Sequence, residues 1–283
     1  MKHVLVTGAS SVLMQKVCKL LSKQNIECTG IARTLQNLTP EIYASWISKD
    51  LSLNIDDIDF SRFDTIIHAA ACTHAFRYNQ YKKINVDITK KLVLKAKSSG
   101  IRNFIFISSR TAEKNGGWYA ETKLEAEKIV LSHYPNAIII MPAEIYGGNK
   151  NEGIDAIIEK IKYKKFVFYP AGINEKLYPI ALDEATQNIA EIIINNQPGS
   201  YLVNGPEGFS MLGLIHHLKF ILNKKTIVLP IPKFILKIVC WLQQFLKFKI
   251  GIYPDQIKRL SVPKKNSVPP NYVRKMEDVL SIH

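Results

Sequence analysis

Between Lys2 and Met141, short apolar runs alternate with segments patterned as helices, and this alternation restricts the chain to few folds. Lys2 to Thr7 reads as a strand and Val12 to Lys23 as a helix. Glu27 to Ala32 and Trp46 to Leu51 read as the next strands. Thr65 to Ala71 is a strand, followed by a helix from Tyr81 to Ser98. Asn103 to Ser108 is a strand, a helix carries Tyr119, and Ala137 to Met141 is a strand again. Fully apolar strand centres such as Ile138-Ile139-Ile140 suit a sheet covered on both faces. The alternation therefore predicts an α/β fold: a doubly wound parallel sheet with helices on both sides.

After Gly147-Gly148 the pattern loosens. Helices are expected over Gly153 to Lys164, Asp183 to Asn195, Ser210 to Asn223 (with Ser210 as its cap) and Phe234 to Lys249. Short strands are expected over Phe166 to Tyr169, Tyr178 to Ala181 and Ser200 to Asn204. Pro230 and Pro232 punctuate the chain, and Pro263 to Asn271 reads as a loop.

At 283 residues the chain can bury a sizeable core, and 47% hydrophobic with 22% charged residues is a globular balance. Phe234 to Ile250 is interrupted by Lys237, Lys247 and Lys249, so it does not read as a membrane span. Cys18, Cys28, Cys72 and Cys240 lack paired or metal-type spacing, and no metal site is expected. A reduced, cytoplasmic setting is the simple expectation. The net charge of +14 is uneven, because Lys224 to His283 alone carries +9. Such a part can approach an anionic lipid surface or a phosphorylated substrate; a solvated basic face is the commoner outcome. No nucleic-acid motif accompanies it, so no nucleic-acid partner is expected.

The chemistry centres on Tyr119 and Lys123. Four residues apart on a helix, they share a face one turn apart. A free tyrosine is a poor acid or base near neutrality, and a nearby cation favours its phenolate. Ser109, ten residues earlier, offers a hydroxyl to a substrate oxygen. At the N-terminus a strand, a tight turn at Gly8 and a helix form a geometry that presents backbone N–H groups to a pyrophosphate.

With these segments in view, the chain resembles the extended short-chain dehydrogenases/reductases, the branch of sugar-nucleotide epimerases, dehydratases and reductases. Thr7-Gly8-Ala9-Ser10 resembles the family's opening turn, and His68-Ala69-Ala70-Ala71 its fourth-strand motif. Asn85-Val86 with Thr89 resembles its Asn-Val-x-x-Thr. Ser109, Tyr119 and Lys123 match its catalytic triad. Pro142 to Gly147 is similar to its Arg-Pro-x-x-x-Tyr-Gly, with Met141 in place of arginine. Gly199 to Gly208, then Ser210, resembles the segment before a substrate-domain helix. Ser11 and Met14 depart from the pattern, standing where the second and third glycines would fall.

The resemblance implies a dinucleotide-binding domain over 1–165 and a substrate-binding region over 166–283, with the chain crossing back to the sheet near 178–205. It implies cofactor contacts from Gly8, Ser10, Ser11, Val12 and Leu13 in the first turn, from Asp50-Leu51 after the third strand, and from Ala69, Ala70 and Ala71 after the fourth. Asn85, Tyr119, Lys123, Pro142 and Ile145 complete that set. Arg33 ends the second strand, where an arginine suits the 2′-phosphate of NADP and a carboxylate suits NAD, so NADP is expected with NAD as the alternative. The expected activity is reduction of a nucleotide-linked keto-hexose. Tyr119 would protonate the alkoxide, Ser109 would hold the carbonyl oxygen, and Lys123 would lower the tyrosine's pKa and bind the nicotinamide ribose. A sugar-nucleotide 4-epimerase holding NAD is the alternative within the class. A binding or scaffold protein that keeps the fold without turnover is the alternative outside it. The family often forms homodimers. His68 reads as structural, and Glu125 and Glu127 as surface charge.

Overall fold

The computed structural model describes residues 1–33, 42–148, 152–246 and 254–280. A seven-stranded parallel sheet forms its centre. In chain order the strands are β1 (His3–Thr7), β2 (Glu27–Ala32), β3 (Ser45–Ser48), β4 (Thr65–His68), β5 (Asn103–Ile107), β6 (Ile138–Pro142) and, after the small strands given below, β10 (Gly199–Val203). They lie in the order β10-β6-β5-β4-β1-β2-β3, so the winding direction reverses between β1 and β4. In open α/β sheets, the crevice beyond the strand C-termini at such a reversal is where ligands bind.

Both faces are covered, as the uninterrupted apolar strands require. On one face α1 (Val12–Ser22) and α6 (Leu182–Asn195) pack Val17, Leu21, Ala185 and Ile189 against Val4, Val6, Ile105 and Ile140. On the other, α3 (Ile88–Ser98) and α4 (Trp118–His133) pack Leu92, Val93, Ala126 and Val130 against Leu5, Ile66, Phe104 and Ile139. The helix expected from Tyr81 starts earlier and is broken. The short α2 (Tyr78–Tyr81) runs into a π-helical segment, Lys82–Asp87, before α3 begins. Wide turns of this kind concentrate at functional sites.

The smaller lobe holds α5 (Gly153–Tyr163), α7 (Met211–Ile221) and two strand pairs. β7 (Ile145–Tyr146) pairs with β9 (Ile180–Ala181), and β8 (Phe166–Pro170) with β11 (Ile227–Ile231). Tyr146, Ile154, Ile158, Val167, Leu214 and Leu218 form its core. α5 thus packs with the small lobe, while α6 and β10 return to the large sheet. Ser210 caps α7, its Oγ accepting from the Gly213 N–H at 3.1 Å. β11 includes Pro230, expected only as punctuation; at the edge of a two-stranded pair its missing donor is tolerated. The helix expected over Phe234 to Lys249 is α8 (Lys233–Leu246), and residues 247–249 fall outside the described residues. Two helices escaped the periodicity because they are short, eight and five residues: α9 (Pro254–Ser261) and α10 (Met276–Leu280).

Candidate active site

Gly8 turns the chain from β1 into α1 with φ +67°, and a Cβ there would lie 2.7 Å from the Ala69 carbonyl carbon and the Ala70 nitrogen. Only glycine permits this approach, which seats the first turn against the end of β4. Ser11 then caps α1, its Oγ accepting from the Met14 N–H at 3.2 Å. The Val12 and Leu13 N–H groups, in the first turn, have no intrahelical acceptor by position. No acidic residue stands in that turn, Val12 is exposed, and the small half-buried Ala69, Ala70 and Ala71 lie opposite. The residues therefore fit a pyrophosphate. Met14 is fully buried with Val17 and Leu21 in the core beneath α1. Its side chain thus points into the core, and its place in the helix leaves the phosphate cradle clear.

Beneath this cradle runs a chain of buried hydrogen bonds whose proton positions are mutually fixed. Thr89 donates to the Asn85 carbonyl at 2.7 Å, so it must accept from His68 Nε2 at 2.8 Å. His68 Nδ1 then accepts from the Thr7 hydroxyl at 2.6 Å, and the Thr7 oxygen accepts from the Ala70 N–H at 3.2 Å. Burial and the charge of Lys123 push the His68 pKa down to about 3, which keeps the ring neutral, while these hydrogen bonds set its tautomer. Asn85 sits in the π-helical segment. It accepts from the Cys72 N–H at 2.8 Å and donates to the Cys72 carbonyl and to Thr122 Oγ1 of α4, each at 3.1 Å. Asn85 and His68 thus tie β1, the exit of β4 and the Tyr119 helix into one unit.

Ser109 follows β5, and its Oγ contacts Thr111 Oγ1 at 2.9 Å and accepts from the Thr111 N–H at 3.2 Å. Tyr119 opens α4 and is 8% exposed, edge-on to Tyr81 at 6.4 Å. Burial raises its pKa, and the Arg259 charge and then the Ser109 hydroxyl offset this only in part. Lys123 lies one turn on and is buried, with Nζ donating to the Ile107 carbonyl at 2.7 Å and lying 4.0 Å from the Phe106 ring centroid. Burial lowers its pKa to about 7. The cation recorded against the tyrosine ring is Arg259, not Lys123. The surface reading of Glu127 is also corrected. It lies one turn beyond Lys123 on the face packed toward the sheet, accepts from the Ser108 hydroxyl, and has its pKa raised by burial.

Sequence reasoning missed Asp255 and Arg259 of α9. The N-cap of α4 is Gly117, which offers no capping side chain. Asp255 fills that role from a distant part of the chain, its Oδ2 accepting from the Tyr119 N–H at 3.3 Å. A Cβ on Gly117, at φ +92°, would collide with that carboxylate. One turn on, the Arg259 guanidinium lies 4.7 Å from the Tyr119 ring centroid, pairs with Asp255 at 3.7 Å and donates to the Thr73 carbonyl at 3.3 Å. The local signal was present: Pro254 at a first helical position and an Asp–Arg pair four apart. Its target was not.

Beyond β2, exposed Arg33 lies near Asp50, and its charge helps to lower the Asp50 pKa behind two stronger hydrogen bonds from Ser52. Leu51 is buried among Ile31, Ile55 and Ile66 and serves the core. Ser10 is exposed at the turn, and its carbonyl accepts from Gln15 Nε2 at 3.0 Å. Pro142 ends β6, where its carbonyl accepts from the Arg110 N–H at 2.9 Å, and Ile145 is half-buried at the start of β7. Between them Glu144 accepts from Arg110 Nη1 at 3.1 Å, Lys264 Nζ at 3.3 Å and the Tyr178 N–H at 3.1 Å.

Comparison with known proteins supplies a family. The sequence model of the NAD dependent epimerase/dehydratase family matches residues 4–177. Among curated proteins, "NADH dehydrogenase [ubiquinone] 1 alpha subcomplex subunit 9, mitochondrial" from Rattus norvegicus is 20% identical over 89% of this chain and 66% of its own length. The chain thus spans just under two thirds of that relative. Among solved structures, a dTDP-4-dehydrorhamnose reductase from Clostridium acetobutylicum covers 99% of this chain and 97% of its own, at 18% identity and TM-score 0.68. A UDP-glucuronic acid 4-epimerase from Bacillus cereus in complex with NAD covers 82% and 86%, at 20% identity and TM-score 0.67. These likenesses carry the fold, and the family match carries the membership: the chain belongs to the NAD dependent epimerase/dehydratase family.

Proposed function

We propose that this protein is an NADP-dependent reductase of a nucleotide-linked keto-hexose. The observation that carries the reading is the convergence of Ser109 and Tyr119 with Arg259 at the C-terminal end of the sheet, beside a first turn that fits a pyrophosphate. When bound, the nicotinamide supplies hydride to the keto carbon. The Ser109 hydroxyl, already accepting from the Thr111 N–H, donates to the carbonyl oxygen. Tyr119 gives its proton to the developing alkoxide, help of a kind that contributes about 10²–10⁴-fold in rate. Arg259 holds the phenolate that remains. Lys123, anchored on Ile107, positions the ribose side of the site, and Arg33 meets the adenosine 2′-phosphate.

Titration of the protein with NADPH and NADH, followed by turnover with UDP- and dTDP-linked hexoses and keto-hexoses, tests this. Tighter binding of NADPH and its consumption with a keto-sugar are expected. Turnover of a UDP-hexose without added cofactor would reassign the chain to the epimerases, among which the Bacillus cereus enzyme is a structural neighbour. A second reading is favoured by the likeness to the rat NADH dehydrogenase subunit and by the 8% exposure of Tyr119 beneath α9. It makes the chain a cofactor-binding subunit without turnover, and binding of NADPH with no reaction on any of these sugars would select it.

A further inference from the structure

α8 buries one side and carries large exposed apolar residues on the other. Leu236, Cys240 and Gln243 are buried against the protein. Phe234, Ile235, Ile238 and Trp241 fall on the opposite side of the same helix and are 63%, 40%, 52% and 62% exposed. On the strand that precedes α8, Ile227 of β11 and its direct partner Phe166 of β8 are also exposed apolar residues. Scattered apolar residues need no explanation, but four large ones along one helix face do.

Charge selects the partner. From Lys224 to Pro254 the sequence holds six lysines, no arginine and no acidic residue. Two copies meeting through this face would oppose like charges with no acid between them, which disfavours a homodimer here. A nucleic acid would draw on the lysines and leave Phe234, Ile235 and Ile238 in water. A surface that accepts aliphatic and aromatic side chains and also attracts lysine is the headgroup region of an anionic bilayer. No helix among the described residues is long and apolar enough to cross a membrane, so α8 would lie in the surface plane.

We infer that α8 docks this protein on anionic lipid membranes through Phe234, Ile235 and Ile238, with exposed Trp241 on the same helix side and Lys224, Lys225 and Lys233 of the same segment drawn to lipid headgroups. The inference is independent of the sugar chemistry at Tyr119.

Flotation of the full chain with vesicles of phosphatidylcholine alone, or with phosphatidylglycerol added, tests it. The protein is expected to float with the anionic vesicles, to release as salt is raised, and to have its tryptophan emission quenched by brominated lipid. Phe234→Ser with Ile238→Ser should weaken partitioning by about tenfold or more, and Lys224→Glu with Lys233→Glu should do the same. Unchanged far-UV circular dichroism confirms that each variant is folded. No flotation at low salt, or equal flotation of wild type and both double variants, overturns the inference. Light scattering that shows a lipid-free dimer lost in the Phe234/Ile238 variant would give the face to a second copy. Binding to heparin without binding to vesicles would give it to another polyanion.

Discussion

His68 shows how one buried side chain orders a site without touching substrate. Its neutrality is imposed by burial, and both ring nitrogens are committed, to Thr7 and to Thr89. The folded pKa, about 3, lies below the ordinary 6.5, so between these values the unfolded chain binds a proton that the folded chain refuses. Stability therefore falls as pH drops below 6.5, by up to about 1.4 kcal/mol per pH unit. Denaturant unfolding of wild type and His68→Gln at pH 7 and pH 5 should show the wild type losing about 2 kcal/mol more than the variant. Parallel losses would show that His68 is not held neutral. The sequence offered this residue as structural and could go no further, because its partners lie 61 and 21 residues away. Met14 was the converse case. It marked a departure from the glycine pattern, yet in the fold it is a core residue.

At the scale of elements, the helix bearing Tyr119 is completed from outside itself. Gly117 leaves its first turn without a capping side chain, and Asp255 of α9 supplies one. Asp255→Ala should lower stability by about 1–2 kcal/mol, the worth of a helix cap, and should also displace Arg259 from the tyrosine ring. In Arg259→Gln the alkaline-rising limb of the rate in the alcohol-oxidising direction should move to higher pH, since removing the cation disfavours the phenolate. Calorimetry and a pH–rate profile check both; an unchanged limb would remove Arg259 from the mechanism. The strands and long helices were legible in the sequence because burial on both faces writes itself as apolar runs. The α9 contact was not, since two turns of helix carry little periodicity and a cap supplied across the fold leaves no local trace.

Across the whole molecule, Glu144 joins the two lobes. Arg110 from the end of β5 and Lys264 from the C-terminal segment both converge on it, and both side chains are 1% exposed. Arg110 also donates to the Lys176 and Lys265 carbonyls at 2.9 and 2.7 Å. Removing the carboxylate strands two buried cations, so Glu144→Ala should cost about 3–5 kcal/mol. Equilibrium unfolding measures it; a loss below about 1 kcal/mol would show that the cations are satisfied elsewhere. The parallel sheet and the family were readable from the strand–helix alternation and the spaced motifs. The basic C-terminal excess was readable as a number, but not the use the fold makes of part of it in the Arg259 and Lys264 ties at the site.

Tyr119 is the proposed proton donor to a nucleotide-linked sugar. The most direct measurement is single-turnover transfer of deuterium from nicotinamide-deuterated NADPH to a nucleotide-linked keto-hexose, in wild type and Tyr119→Phe. The prediction is transfer by the wild type and a rate lower by at least about 10² in the variant, with NADPH binding retained. Equal transfer rates in the two proteins would contradict it.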